Sequence, residues 1–129
     1  MAHPNEDLMR KGYDAFSRGD MNTLRDEVFA DDITFHIPGR NLIAGNHVGS
    51  ESVFDFLGKL MELSGGSFRL ELHDLLASDE HVVALTSHTG QRAGRTANYN
   101  SVHVWHVRGG KISELWEHPE QDKFDEFWS

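Results

Sequence analysis

Nine histidines and 21 acidic residues give this 129-residue chain many candidate acids, bases and metal ligands. The absence of cysteine removes thiolate nucleophiles, thiolate metal sites and any disulfide framework. In FADDITFHIPGR, Phe29 to Arg40, a pair of acids runs into an apolar–polar alternation that holds His36 and stops at Pro38-Gly39. Alternation puts Phe35 and Ile37 on one face of a strand and His36 on the other. The histidine therefore faces away from the wall that its neighbours build, towards a surface or subunit contact. His103 and His106 lie on another predicted strand, spaced so that they also point to opposite faces. None of the tight histidine spacings is a zinc signature, and no metal is expected. Carboxylates, imidazoles, hydroxyls and amides remain as the groups able to do chemistry, and general acid–base catalysis is one use of them.

The elements that would position such groups follow from periodicity. A helix is predicted from Asn5 to Arg18, with Leu8, Met9, Tyr13, Ala15 and Phe16 at helical spacing and Gly19 as its stop. Asp20 caps a shorter helix, and a strand follows from Ile33 to Ile37, halted because Pro38 has no amide to give a ladder. Residues 39–49 read as a glycine-punctuated loop. A third helix begins at Ser50, shows the face Val53, Phe54, Leu57, Leu60 and Met61, and breaks at Ser64-Gly65-Gly66. The period then switches to two in SFRLELHDLL, EHVVALTSHTGQ, TANYNSVHVWHV and KISELWEH, joined by glycine-containing turns. The tail DKFDEFWS carries Phe124, Phe127 and Trp128 and is expected to dock on the body. Helices followed by four short-turned strands describe one α+β domain over residues 1–129, with a mostly antiparallel, strongly curved sheet whose helices enclose a pocket.

GYDAFSRGDMNTLRDEVFADDITFHIPG, LIAGNHVGSESVFDFL and VHVWHVRGGKISELWEHPEQD together resemble the nuclear transport factor two-like superfamily, in its SnoaL-like and ketosteroid isomerase-like branch. The resemblance implies a cone-shaped fold around a deep apolar cavity, a homodimer, and varied chemistry on bulky lipophilic molecules. It places Tyr13 where the isomerases keep an oxyanion-hole tyrosine. Their two carboxylates would fall at Ile37 and near Val102, and both are missing here, which argues against classical steroid isomerase chemistry. The cyclase branch keeps an acid directly after the tryptophan of its last strand, and Glu117 stands there in ISELWEH.

If Val102 points inward, alternation turns Asn98, Asn100, Val104 and His106 inward as well, and Ser113, Leu115 and Glu117 on the last strand. The expected catalytic set is then Glu117, His106 and Tyr13. The expected substrate walls are Phe35, Ile37, Asn100, Val102, Val104, Leu85, Phe54 and Leu115. Each residue also has a structural reading. Tyr13 is a core residue in any fold, Glu117 can form an ion pair at the rim, and His106 becomes a surface histidine if the face slips by one residue.

An excess of acids, for a formal charge of −9, opposes nucleic acid and anionic membrane surfaces as partners. No apolar run is long enough to span a bilayer, the first residues lack a secretory pattern, and a cytoplasmic location is expected. The partner implied is a lipophilic small molecule such as a polyketide or steroid-like carbonyl compound. It would be the substrate of a cyclase, isomerase or dehydratase. The alternatives are a non-catalytic binder of such a molecule and a dimeric association domain.

Overall fold

The computed structural model describes residues 3–129. Helix α1 runs Pro4–Ser17 and a short helix, α2, spans Met21–Thr23, followed by a π-helical turn at Leu24–Val28. Strands β1 (Phe29–Ile37) and β2 (Gly45–Val48) lead into α3 (Ser50–Leu63). Strands β3 (Arg69–Ala77), β4 (His81–Arg92), β5 (Arg95–Arg108) and β6 (Lys111–Pro119) follow, and α4 (Gln121–Trp128) completes the order. The six strands form one curved, unclosed sheet in the order β2-β1-β6-β5-β4-β3. Every neighbouring pair is antiparallel except β1 and β6, which run parallel. The α+β architecture read from the sequence is the one observed.

Local chemistry accounts for most boundaries. His3 caps α1, its Nδ1 accepting from the amide of Asn5, while the Asn5 side chain donates to the carbonyls of Ser78 and Asp79. The helix thus starts at Pro4, where proline's missing amide costs nothing, rather than at Asn5. Asp20 caps α2 by accepting from the amide of Thr23. Gly49, with φ of 89°, occupies the cap position of α3, so Ser50 is its first helical residue rather than its cap. Strand β1 begins four residues earlier than expected, and β2 forms within the predicted loop.

The core lies between the concave face of the sheet and the helices. Met9, Tyr13 and Ala15 of α1, Val53, Phe56, Leu57 and Leu60 of α3, and Phe124, Phe127 and Trp128 of α4 are buried against it. Gly12 lets α1 come close, because a Cβ there would sit 3.2 Å from Cγ1 of Val28. At the other end, Asp125 of α4 accepts from the amide of Arg40 and the side chain of Asn41, fixing α4 beside the turn after β1. Gly39 allows this contact, since at φ of 102° an added Cβ would lie 2.1 Å from the Asp125 carboxylate. The tail therefore docks as the sequence predicts. Among the described residues, no helix is long and apolar enough to cross a membrane.

Candidate functional site

Inside the curve lies an apolar cavity of about 70 Å³. Its walls include Tyr13 and Phe16 of α1, Phe35 of β1, Leu57 of α3, Leu115 of β6 and Phe124 of α4. The polar groups that reach it come from adjacent strands: His88 of β4, Tyr99 and His103 of β5, and Glu117 of β6.

Register explains why these groups meet. His103 stands directly opposite Glu117 across the β5–β6 ladder, and Trp105 opposite Leu115. Directly opposed residues on one face have close Cβ atoms, so the imidazole and carboxylate come into contact without distorting the strands. Trp105 can only donate, and its indole nitrogen lies 2.9 Å from the Tyr13 hydroxyl. The Tyr13 proton is then free to point at Nδ1 of His103, 2.6 Å away. This leaves His103 Nε2–H to donate to Oε2 of Glu117 at 3.1 Å, where the Ser101 hydroxyl also donates at 2.9 Å. The directions are mutually consistent for a neutral imidazole and an ionised carboxylate. Among the described residues no hydrogen bond takes the other carboxylate oxygen, Oε1.

A second relay runs alongside. The Trp128 indole donates to the Tyr99 hydroxyl at 3.1 Å, and Tyr99 donates to Nδ1 of His88 at 3.1 Å. His88 Nε2–H donates to Thr86 at 2.9 Å, and the Thr86 hydroxyl ends on the carbonyl of Ser101 at 2.8 Å. Ser101 touches both relays, through its hydroxyl in one and its carbonyl in the other.

Burial sets the electrostatics. It pushes the Glu117 carboxyl up, but the electrostatic attraction and hydrogen bond of the His103 imidazole, with smaller help from His88 and Ser101, outweigh it and hold the group down at about 2. Burial pushes His88 down to about 4; Glu117 opposes this and His103 adds to it. Burial likewise raises Tyr13 well above the ordinary phenol value, against the hydrogen bond from Trp105. At neutral pH Glu117 is therefore an anion, and His88 and Tyr13 are neutral. His88, His103 and Glu117 offer ligand atoms within 4.8 Å of one another, a set with the composition of a metal site. Both nitrogens of each imidazole are already engaged in hydrogen bonds, so an ion would have to displace tyrosine, threonine or glutamate partners.

Four of the expected residues, Tyr13, Phe35, Leu115 and Glu117, line the cavity. Ile37 faces inward and is buried, but lies beyond the cavity wall. Phe54 faces a neighbouring groove, with the Arg25 guanidinium 4.6 Å above its ring. Strand β5 presents the opposite face to the one expected. Tyr99, Ser101, His103 and Trp105 point inward, so Asn100, Val102, Val104 and His106 lie on the outer face. Leu85, which pairs with Val102, lies there too. His106 is half-buried against His81 and bonded to Ser113 at 2.8 Å, away from Glu117. The physical reason is the period of two: anchoring the strand on Val102 shifts every side chain to the wrong side. The position facing Glu117 is therefore His103, and the empty acid position inferred near Val102 is not a cavity position. A signal for the correct face was present, since it carries the bulky Tyr99 and Trp105 and the other carries Asn98 and Asn100. His36 lies on the outer face as expected, stacked on Trp116 and bonded to Glu114 and Asn46.

The sequence profile of the SnoaL-like domain matches residues 9–115. An uncharacterised protein of Mycobacterium tuberculosis, Rv0034, is 30% identical over 125 residues, covering 95% of each chain. The structure of Bal32a, from a soil-derived mobile gene cassette, superposes with a TM-score of 0.93 at 34% identity, covering 98% of this chain and 97% of that one. IdmH, a putative polyketide cyclase from Streptomyces antibioticus, shares the fold at a TM-score of 0.73 and 21% identity, with 92% and 93% covered. A match over most of the chain and a relative at this identity lead to one assignment: the chain, which has the fold of nuclear transport factor two-like proteins, belongs to the SnoaL-like family.

Proposed function

We propose that the protein is a cofactor-independent acid–base enzyme acting on a lipophilic carbonyl compound, a cyclase, isomerase or dehydratase. The observation that carries this reading is the relay Trp105–Tyr13–His103–Glu117, buried in the wall of an apolar cavity with one carboxylate oxygen unengaged. In the proposed step, Glu117 Oε1 takes the proton from the carbon next to the substrate carbonyl, and the electron pair of that C–H bond moves into the enolate. The Tyr13 hydroxyl turns from His103 to donate to the enolate oxygen, its own oxygen still held by Trp105. Return of the proton to a different atom gives isomerisation; attack of the enolate carbon on a second carbonyl, whose π electrons form an alkoxide that takes the proton back from Glu117, gives cyclisation. A carboxylate of low proton affinity suffices as the base where the enolate oxygen is stabilised in a dry site. His103 positions Glu117 and keeps it ionised. The putative cyclase function named for IdmH agrees with this chemistry.

The outer sheet face supports a further part of this reading, a homodimer. Val83, Leu85, Val102, Val104 and Trp116 form a half-buried apolar surface there, suited to a second copy.

Deuterium exchange tests the chemistry without knowledge of the natural product. A hydrophobic 1,3-diketone such as 2-acetyl-1-tetralone, incubated in D₂O, should exchange its acidic C–H faster with the protein than with buffer, read by NMR. Glu117→Gln should lower that catalysed rate about 10²–10⁴-fold, the usual contribution of a positioned base. Equal rates for the two proteins would rule out Glu117 as the base.

A further inference from the structure

Beside the catalytic cavity lies a larger groove of about 690 Å³ that nothing above uses. The two share Phe16, Leu57, Phe68 and Leu70 as a common boundary. Phe16 of α1 and Phe68 ahead of β3 meet there edge to face, with centroids 6.4 Å apart. The groove is thus the outer continuation of the cavity, reached across an apolar sill.

Its charge is opposite to that of the molecule. Three arginines line it, Arg18, Arg25 and Arg69, and none of the chain's 21 acidic residues does. Arg18 is neutralised by Asp14 and Asp20. The other two have no carboxylate partner among the described residues. Arg25 spends one nitrogen on the side chain of Asn22 and lays its guanidinium over Phe54. Arg69 turns Nη1 to the carbonyls of Gly66 and Phe68. A guanidinium carries five N–H donors, so each arginine keeps unused donors while its plane is fixed by the contacts it makes. Cations held in place beside an apolar opening, in a protein with a formal charge of −9, suit an anionic ligand group.

We propose that this groove is a head-group site for an amphiphilic substrate. Arg25 and Arg69 hold a carboxylate or phosphate at its outer end, and the lipophilic carbonyl portion passes Phe16 and Phe68 to reach Tyr13 and Glu117. The proposal rests on the acid–base reading of the cavity and narrows its substrate class to lipophilic carbonyl compounds bearing an anionic end. A carboxylic acid and a phosphate ester share the required chemistry.

Unreactive amphiphiles separate this proposal from the catalytic one. Dodecanoate, dodecyl phosphate and neutral dodecanol, all below their aggregation concentrations, would be titrated into the full-length protein by calorimetry. At least one anionic probe should bind ten-fold or more tightly than dodecanol, and whichever binds more tightly identifies the head group. In the double variant R25Q/R69Q that preference should fall to within two-fold, with dodecanol affinity unchanged. R25K/R69K, which keeps the charge but loses the planar fork, should restore part of it. Glu117→Gln should retain the full preference, so loss of exchange activity and loss of head-group recognition are independent results. Equal binding of all three probes, no binding of any, or a preference that survives R25Q/R69Q would overturn the proposal.

Discussion

Two relays of the same composition lie next to each other in one cavity wall, each running from a tryptophan through a tyrosine to a histidine. They differ in where they end. From Trp105 the hydrogen bonds finish on the carboxylate of Glu117; from Trp128 they finish on the Thr86 hydroxyl and then the carbonyl of Ser101. A carboxylate can accept a proton from a substrate and return it, whereas a backbone carbonyl cannot. The second relay satisfies buried polar groups that would otherwise carry a desolvation cost. In the proposed chemistry, competence is thus set by the last acceptor, not by the aromatic and imidazole groups leading to it.

The largest expected effect comes from exchanging the same residue in each relay. His103→Gln should lower diketone exchange about 10²–10⁴-fold, because Glu117 loses the partner that positions and ionises it. His88→Gln should leave the rate within a few-fold. Equal losses in the two variants would erase the distinction between the relays.

Acid stability gives the next largest effect. His88 has a folded value depressed to about 4 from 6.5, so between those values the unfolded state binds a proton that the folded state refuses. Its contribution is complete above about pH 6.5 and is lost as pH falls towards 4, amounting to about 3 kcal/mol. Glu117, depressed to about 2 from 4.5, acts in the same direction in a lower window, its contribution lost as pH falls from 4.5 to 2. Urea titrations across pH should show stability falling in these two stages. His88→Gln should flatten the upper stage only, and a wild-type profile level between pH 6.5 and 4 would contradict the buried, neutral His88.

The smallest effect separates the two phenols. Tyr13→Phe and Tyr99→Phe should each cost about 1–3 kcal/mol of stability, since each leaves a buried indole N–H without its acceptor. Only Tyr13→Phe should also slow exchange, about ten-fold or more, and matching activities would remove Tyr13 from the enolate site.

The contrast also shows what could be read in advance. Tyr13 and Phe35 were legible because α1 and β1 each have one clearly apolar face. Glu117, and with it Leu115 two residues before, follows instead from the resemblance to a branch that keeps an acid after the tryptophan of its last strand. Strand β5 is harder to read, because valines on one side compete with aromatic residues on the other. Its two faces, Val102–Val104 and Tyr99–His103–Trp105, differ by a single step. His88 was missed with it, since β4 alternates Val82, Ala84 and Thr86 with Val83 and Leu85, and neither set is plainly polar. Strand β2 has only four residues, none of them buried, so no alternation marks it. Trp128 reads as packing, and its bond to Tyr99 spans 29 residues that no local pattern connects.

The three tryptophans also divide the protein optically. Trp105 lies in the cavity wall against Tyr13, Trp128 is fully enclosed at the end of α4, and Trp116 stacks on His36 at the outer face. Each indole thus marks a different compartment: the relay proposed to be catalytic, the supporting relay and the surface proposed to meet a second copy. Emission resolved by single-tryptophan variants would report ligand entry, tail docking and subunit pairing as separate signals, without any added label.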